Sequence, residues 1–173
     1  MKVMVRPDGC KGLVLAGGAR FVCAIGRGGA VLVKREGDGA TPVGCYPFRR
    51  LVYRPDRVTP PDGGWRLAAT PIGKADGWCD DPADPAYNRP VALPYPASAE
   101  RMWRDDRLYD IVVILGHNDD PPVPGLGSAI FLHVAKPDYA PTEGCIALAP
   151  EDLRRLLGLI GPDDVIEIGA PAV

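Results

Sequence analysis

The chain has 173 residues, with 20 Lys and Arg against 22 Asp and Glu, for a net charge of −2. That length suits one domain, expected over 1–173, with a substantial core. The charge balance offers no general electrostatic hold on nucleic acid and no charged tail. No apolar stretch approaches the ~18 residues of a membrane span. In "MKVMVRPDGC", Arg6, Pro7 and Asp8 stand where a secretory leader needs its apolar core. The chain as given is therefore cytosolic, exported by another route, or written without its leader.

Twenty-one glycines and 20 prolines make up about a quarter of the sequence. A 46% hydrophobic content and repeated β-rich runs turn that composition from a sign of disorder into one of a folded, turn-dense domain. In chain order, strands are predicted at 12–16, 20–25, 30–34, 45–53, 110–115, 129–134, 145–148 and 164–168. Glycine turns at 26–29 and 36–39 separate the early ones. The proline-rich stretches 54–62 and 80–96 read as surface loops, the second as a lid over a site. The runs IVVIL and AIFL are apolar on both faces, as interior strands of a layered sheet structure should be. A short helix is predicted from Ser98 to Trp103. The long one lies in "APEDLRRLLGLIG": Pro150 suits the first helical position and Glu151 and Asp152 the positive helix start. Leu153, Leu156, Leu157 and Ile160 form its buried stripe. The fold class is mostly β with one or two helices.

The five cysteines are residues 10, 23, 45, 79 and 145, with no CxxC pair to suggest a zinc ribbon or a redox centre. In an exported chain, two disulfides among Cys10, Cys23, Cys45 and Cys79 have three connectivities. Cys145 has a different setting. Gly144 before it lets the backbone bend sharply, and the apolar run after it anchors the backbone while the thiol sits at a rim. A cysteine nucleophile needs that rigid base, together with amides to hold an oxyanion. On "AIFLHVA", Ala129, Phe131 and His133 share one strand face. If 129–134 and 145–148 are neighbours, imidazole and thiol can approach. The alternative is a backbone-bonded histidine and a buried structural cysteine.

"TEGCIAL", preceded by "FLH" and followed by "APEDLRRLL", resembles the catalytic segment of the YkuD-type L,D-transpeptidases. That signature is a histidine, then Ser/Thr-x-Gly-Cys, an apolar residue and a helix soon after. "KREGDGATPVGCYPFRRL" resembles the family's early segment, and "VIEIG" its closing strand. The sequence departs from the pattern at Glu143, where histidine is frequent, at Ala147, where arginine or asparagine is usual, and at Val134, often glycine. The histidine-to-cysteine spacing of 12 positions is also short.

The resemblance implies a β-sandwich of the L,D-transpeptidase type and a divergent short member. Cys145 is the implied nucleophile, activated as an ion pair by His133, with the Gly144 and Cys145 amides as oxyanion donors. The implied partners are peptidoglycan stem peptides, as acyl donor and as amine acceptor. No cofactor, no metal, no nucleic acid and a monomer are expected, in the periplasm or cell envelope. Susceptibility to carbapenems and a role in cell-wall crosslinking and cell shape follow from the same resemblance. Candidate substrate contacts are Asn118, Tyr139, Thr142, which also shapes the turn, and Arg89, whose guanidinium suits a stem carboxylate. Trp78 and Tyr87 are candidate lid residues. His117 with Asp120 falls short of a metal ligand set. Two competing functions remain open: an L,D-carboxypeptidase or amidase using the same pair, and a non-catalytic wall-binding module.

Overall fold

A computed structural model describes residues 1–171. Its strands are β1 (Lys2–Asp8), β2 (Lys11–Ala16), β3 (Ala19–Ala24), β4 (Ala30–Val31), β5 (Thr41–Pro42), β6 (Gly44–Tyr53) and β7 (Ala69–Pro71). They continue with β8 (Asp76–Cys79), β9 (Pro90–Ala92), β10 (Ala99–Arg101), β11 (Ile111–Leu115), β12 (Phe131–Val134), β13 (Ile146–Leu148) and β14 (Val165–Ile168). The helix α1 is Pro150–Leu159, and it is the only one among the described residues.

The main sheet runs β11-β12-β13-β3-β2-β1-β14-β6-β7 and closes on itself because β11 also pairs with β6. The expected β-sandwich is thus realised as a barrel-like closed sheet, with β7 left as a branch on β6. β6 makes closure possible through its length. Its first half pairs with β14, its second half with β11, and its end with β7.

Alternation decides which side chains enter the barrel. Val3 and Val5 of β1, Phe21 and Cys23 of β3, Val113 of β11 and Leu132 and Val134 of β12 all join one buried cluster. Helix α1 adds Leu153, Leu156 and Leu157 to it, with Ile160 as its C-cap, so the predicted stripe is the buried one. At ~25 cal/mol per Å² of apolar surface, each such leucine contributes roughly 1.5–3 kcal/mol. The opposite face of β11 and β12 belongs to a second cluster, where Val112, Ile114, Phe131 and Cys145 pack under Ile72, Trp78 and Met102.

A three-stranded sheet, β10-β8-β9, supplies that cover. Three expectations change here. The segment 98–103 is not a helix: Ala99, Glu100 and Arg101 pair with Cys79, Trp78 and Gly77, and sheet pairing overrides the helical propensity of "SAERMW". The stretch 80–96 is a built wall rather than a loose lid, tied down by Trp78 Nε1 to Asn88 Oδ1 at 2.9 Å and Tyr95 Oη to Asp84 Oδ1 at 2.9 Å. The predicted strand 30–34 pairs only at Ala30 and Val31, with Thr41 and Pro42; Leu32 and Val33 are exposed. All five cysteines are free thiols.

Candidate active site

β12 and β13 lie side by side in parallel, with Leu132 opposite Ile146 and His133 opposite Ala147. Residues 131 and 133 on one strand, and 145 and 147 on the other, therefore share the face under the cover sheet. Cys145 and His133 are diagonal neighbours on that face, two register positions apart. Both line one cavity of about 310 Å³, together with Glu100, Arg104, Tyr109 and Thr142. Ala147 also lines it. Its methyl group leaves the space beside His133 open.

The turn before the thiol is fixed on three sides. Gly144 has φ +135°, and a Cβ there would lie 2.8 Å from the Ala40 carbonyl oxygen, so no other residue fits. Thr142 Oγ1 donates to the Cys145 carbonyl at 2.6 Å and accepts the Gly144 N–H at 3.1 Å. Fully buried Thr41 accepts the Gly26 N–H at 2.8 Å and donates to the Gly144 carbonyl at 2.9 Å. Because Thr142 occupies the Gly144 N–H, the amide left free at the turn is that of Cys145, which has no backbone acceptor among the described residues.

The Cys145 sulfur donates to the Ala129 carbonyl at 3.2 Å and accepts the Phe131 N–H at 3.3 Å. Burial pushes the thiol up to about 12, the Glu100 carboxylate pushes the same way, and the Phe131 N–H pulls back. His133 Nδ1 lies 2.8 Å from the Val134 carbonyl oxygen. A carbonyl only accepts, so Nδ1 carries the proton and Nε2 is left as the base. Burial holds the imidazole down to about 4. The resting pair is thus neutral, not the ion pair expected from a free thiol: both groups are desolvated, and neither charged form is favoured. The Tyr109 ring meets His133 edge-on, centroids 5.3 Å apart, and its hydroxyl donates to Glu100 at 2.7 Å.

The remaining predicted residues sit elsewhere. Asn118 is a loop staple, its amide bonded to Val123 and Gly127, and it does not line this cavity. Tyr139 lines a neighbouring apolar cavity of about 420 Å³. Arg89 contributes its carbonyl to β8 through the Cys79 N–H and does not line the cavity either. Trp78 packs against Phe131, and Tyr87 Oη donates to Glu36. His117 meets Tyr46 edge-on and contacts the Leu126 carbonyl.

Sequence reasoning missed Asn88, whose Oδ1 accepts from Ala129 N at 3.1 Å and so fixes the carbonyl that holds the thiol. It also missed Glu100, Tyr109 and Arg104. A strand assignment for 99–101 would have turned Glu100 inward and exposed the signal.

The family comparison now decides the matter: the L,D-transpeptidase catalytic domain of the YkuD family matches residues 3–168. The chain belongs to that family. The match spans the closed sheet from β1 to β14 and contains every residue of the cavity. Searches of curated proteins and of solved structures gave no match. L,D-transpeptidases act on peptidoglycan peptides, so the supported activity is peptidoglycan-directed in general. No helix among the described residues is long and apolar enough to cross a membrane.

Proposed function

We propose that this L,D-transpeptidase uses Cys145 as its nucleophile and His133 as its general base to crosslink peptidoglycan stems through a thioester. The observation that carries the proposal is the shared face of β12 and β13, which turns the Cys145 sulfur and the His133 ring into one cavity.

The chemistry follows from the proton positions. As Sγ attacks the carbonyl carbon of the stem amide, its proton passes to His133 Nε2. The Cys145 N–H is the free donor for the developing oxyanion, and the Phe131 N–H stays on the sulfur as it becomes charged. His133 then gives the proton to the leaving amine of the terminal D-residue as the C–N bond breaks. The thioester keeps the energy of that amide. An amine from a second stem attacks it, loses a proton to His133, and re-forms an amide while the thiol recovers its proton. Water in place of the amine makes the enzyme a carboxypeptidase through the same intermediate.

With a neutral resting pair, the thiolate forms in concert with attack on bound substrate, which protects the thiol between turnovers. Incubation with disaccharide-tetrapeptides and mass spectrometry of the products tests this. Crosslinked dimers are expected, trimmed monomers alone would indicate hydrolysis, and the absence of both would indicate a non-catalytic module. An envelope location goes with this substrate.

A further inference from the structure

We propose that Asp80 and Glu100, on the cover-sheet wall of the cavity, form a subsite for a primary ammonium group, the attacking amine of the acceptor stem. This rests on the function proposed above and assigns the acceptor half of it to named residues.

The placement comes from sheet register. β8 and β10 pair antiparallel with Cys79 opposite Ala99 and Trp78 opposite Glu100. The Asp80 N–H continues the ladder to the Ser98 carbonyl at 3.2 Å. Asp80, Trp78 and Glu100 therefore share one face of the cover sheet, the face that packs Trp78 against Phe131. Both carboxylates line the cavity that holds Cys145 and His133.

Two polar atoms on that cavity wall lack partners. Asp80 Oδ1 is buried and accepts from no donor, and Ser128 Oγ, in a residue only 7% exposed, is likewise unpartnered. A buried carboxylate oxygen without a donor costs free energy, so its retention points to a donor that arrives with the ligand. Of the other charged side chains of the cavity, Lys136 is exposed to solvent without an ion pair among the described residues, and three are committed to partners. Glu143 pairs with Arg27, Glu36 accepts from Tyr87, and Arg104 grips Asp106 through Nη2 at 2.6 Å. Glu100 receives Tyr109 and, at 3.6 Å, Arg104, both on Oε1. Asp80 and Glu100 thus present a net negative wall. A metal ion is the poorer occupant, since no group of three His, Cys, Asp or Glu side chains among the described residues is arranged to hold one.

Such a wall suits aminolysis. The arriving ammonium gives one proton to a carboxylate and so gains the lone pair it attacks with. Its second proton passes to His133 Nε2 as the C–N bond forms and the C–S bond breaks, and then returns to the departing sulfur. The carboxyl releases its proton to water. The Glu100 charge disfavours the thiolate in the empty enzyme, and an ammonium seated beside it offsets that charge. The acceptor thereby aids the very sulfur it will displace.

The test separates the two half-reactions in the full chain. Acylation by a disaccharide-tetrapeptide is read by intact mass, and the partition of the thioester between crosslink and hydrolysis is read by product analysis. Asp80→Asn and Glu100→Gln are expected to acylate at least as fast as the parent while the acceptor KM rises tenfold or more and hydrolysis takes over. Acceptor KM within twofold of the parent in both variants would overturn the subsite while leaving the acyl-enzyme mechanism standing. If the parent itself fails to acylate, the proposed function falls. The subsite is then judged by NMR titration with 1,5-diaminopentane. Binding weakened tenfold in Asp80→Asn sustains it, and equal binding rejects it. Thermal melts of each variant confirm folding, and Ser128→Ala gives a further, smaller perturbation of the same wall.

Discussion

Thr41 Oγ1 donates to the Gly144 carbonyl at 2.9 Å, joining two segments 103 residues apart, and the same oxygen accepts the Gly26 N–H. One fully buried hydroxyl therefore couples the strand β5, the end of β3 and the turn that delivers Cys145. Thr41→Val keeps the shape and removes both bonds, leaving a buried N–H and a buried carbonyl unpaired. A loss of about 1–3 kcal/mol in urea unfolding is expected, with acylation by stem peptides slowed well beyond what that loss alone produces at 25 °C. Thr41→Ser should recover most of both. Equal acylation rates in Thr41→Val and the parent would show that the turn holds itself.

Only one of the two histidines shares the cavity with Cys145. His133→Ala should lower turnover by ~100-fold or more, the scale of removing an acid/base, and Cys145→Ala should remove product formation altogether. His117 lies against Tyr46 and the Leu126 carbonyl. His117→Ala should leave the chemistry within a few-fold, as should Cys10→Ala. Steady-state crosslinking by the four variants, each checked for folding, decides the assignment. A larger defect in His117→Ala than in His133→Ala would reverse it.

Thr41 and Glu100 mark the limits of what the sequence alone discloses. The segment containing Thr41-Pro42 stands out by family likeness, yet nothing local says that its hydroxyl reaches Gly144, because that contact exists only after the barrel closes. The run 145–148 and the helix α1 are legible because period and turn chemistry are local: Gly144 must adopt a positive φ, and the leucine stripe repeats at helical spacing. Glu100 is not legible because "SAERMW" has helical propensity, and only pairing with β8 makes it a strand that turns its carboxylate inward. β1 escapes notice for a related reason. Its alternation of buried Val3 and Val5 is clear, but Arg6 and Pro7 disguise a strand whose partners β2 and β14 come from opposite ends of the chain.

Burial of His133 makes stability depend on acid in a defined direction. The folded imidazole takes its proton only near pH 4, held down first by burial, whereas the unfolded one titrates near ~6.5. The unfolded state therefore binds more protons as pH falls below ~6.5, and the stability present above that pH is lost progressively toward about 4. The contribution is on the order of 3 kcal/mol. Glu100, raised by burial, works in the opposite sense over part of the same range. Urea unfolding at pH 7.5 and 4.5 isolates the histidine: His133→Gln should show a pH dependence smaller than the parent's by roughly 2–3 kcal/mol. Identical dependences would mean that the folded imidazole titrates as the unfolded one does.

Thiol reactivity should rank by exposure and not by role. Cys45 is exposed, and Cys145 is buried with its thiol pushed up to about 12. Iodoacetamide at pH 7.5 should therefore label Cys45 first and leave Cys145 largely unmodified over the same interval, as measured by peptide mapping. Glu100→Gln removes a neighbouring negative charge and should speed labelling of Cys145 severalfold. Cys145 labelling faster than Cys45 in the parent would show a pre-formed thiolate and contradict the neutral resting pair.

A carbapenem should nevertheless acylate Cys145. A β-lactam is a strained amide, so its carbonyl offers the same target as the stem peptide with a better leaving group, and the neutral pair acts on it in the same concerted way. Sγ forms the thioester, the ring C–N bond breaks, and His133 hands the thiol proton to the freed nitrogen. Among the departures from the family pattern, Glu143 is an obvious threat to this attack, since a carboxylate beside a thiolate disfavours it. Glu143, however, points outward to Arg27, and both side chains are largely exposed, so solvent and its partner screen it. The carboxylate that acts on the sulfur is Glu100. The adduct should therefore form in the parent and faster in Glu100→Gln, whereas Glu143→Gln should leave the rate almost unchanged. Intact-mass spectrometry should show one drug mass added, mapped to residues 142–148. No adduct in a protein that still crosslinks stems would mean that the Asp80–Glu100 wall rejects the anionic drug while admitting a cationic acceptor. No adduct and no crosslinks together would leave the cavity as a binding site for wall peptides.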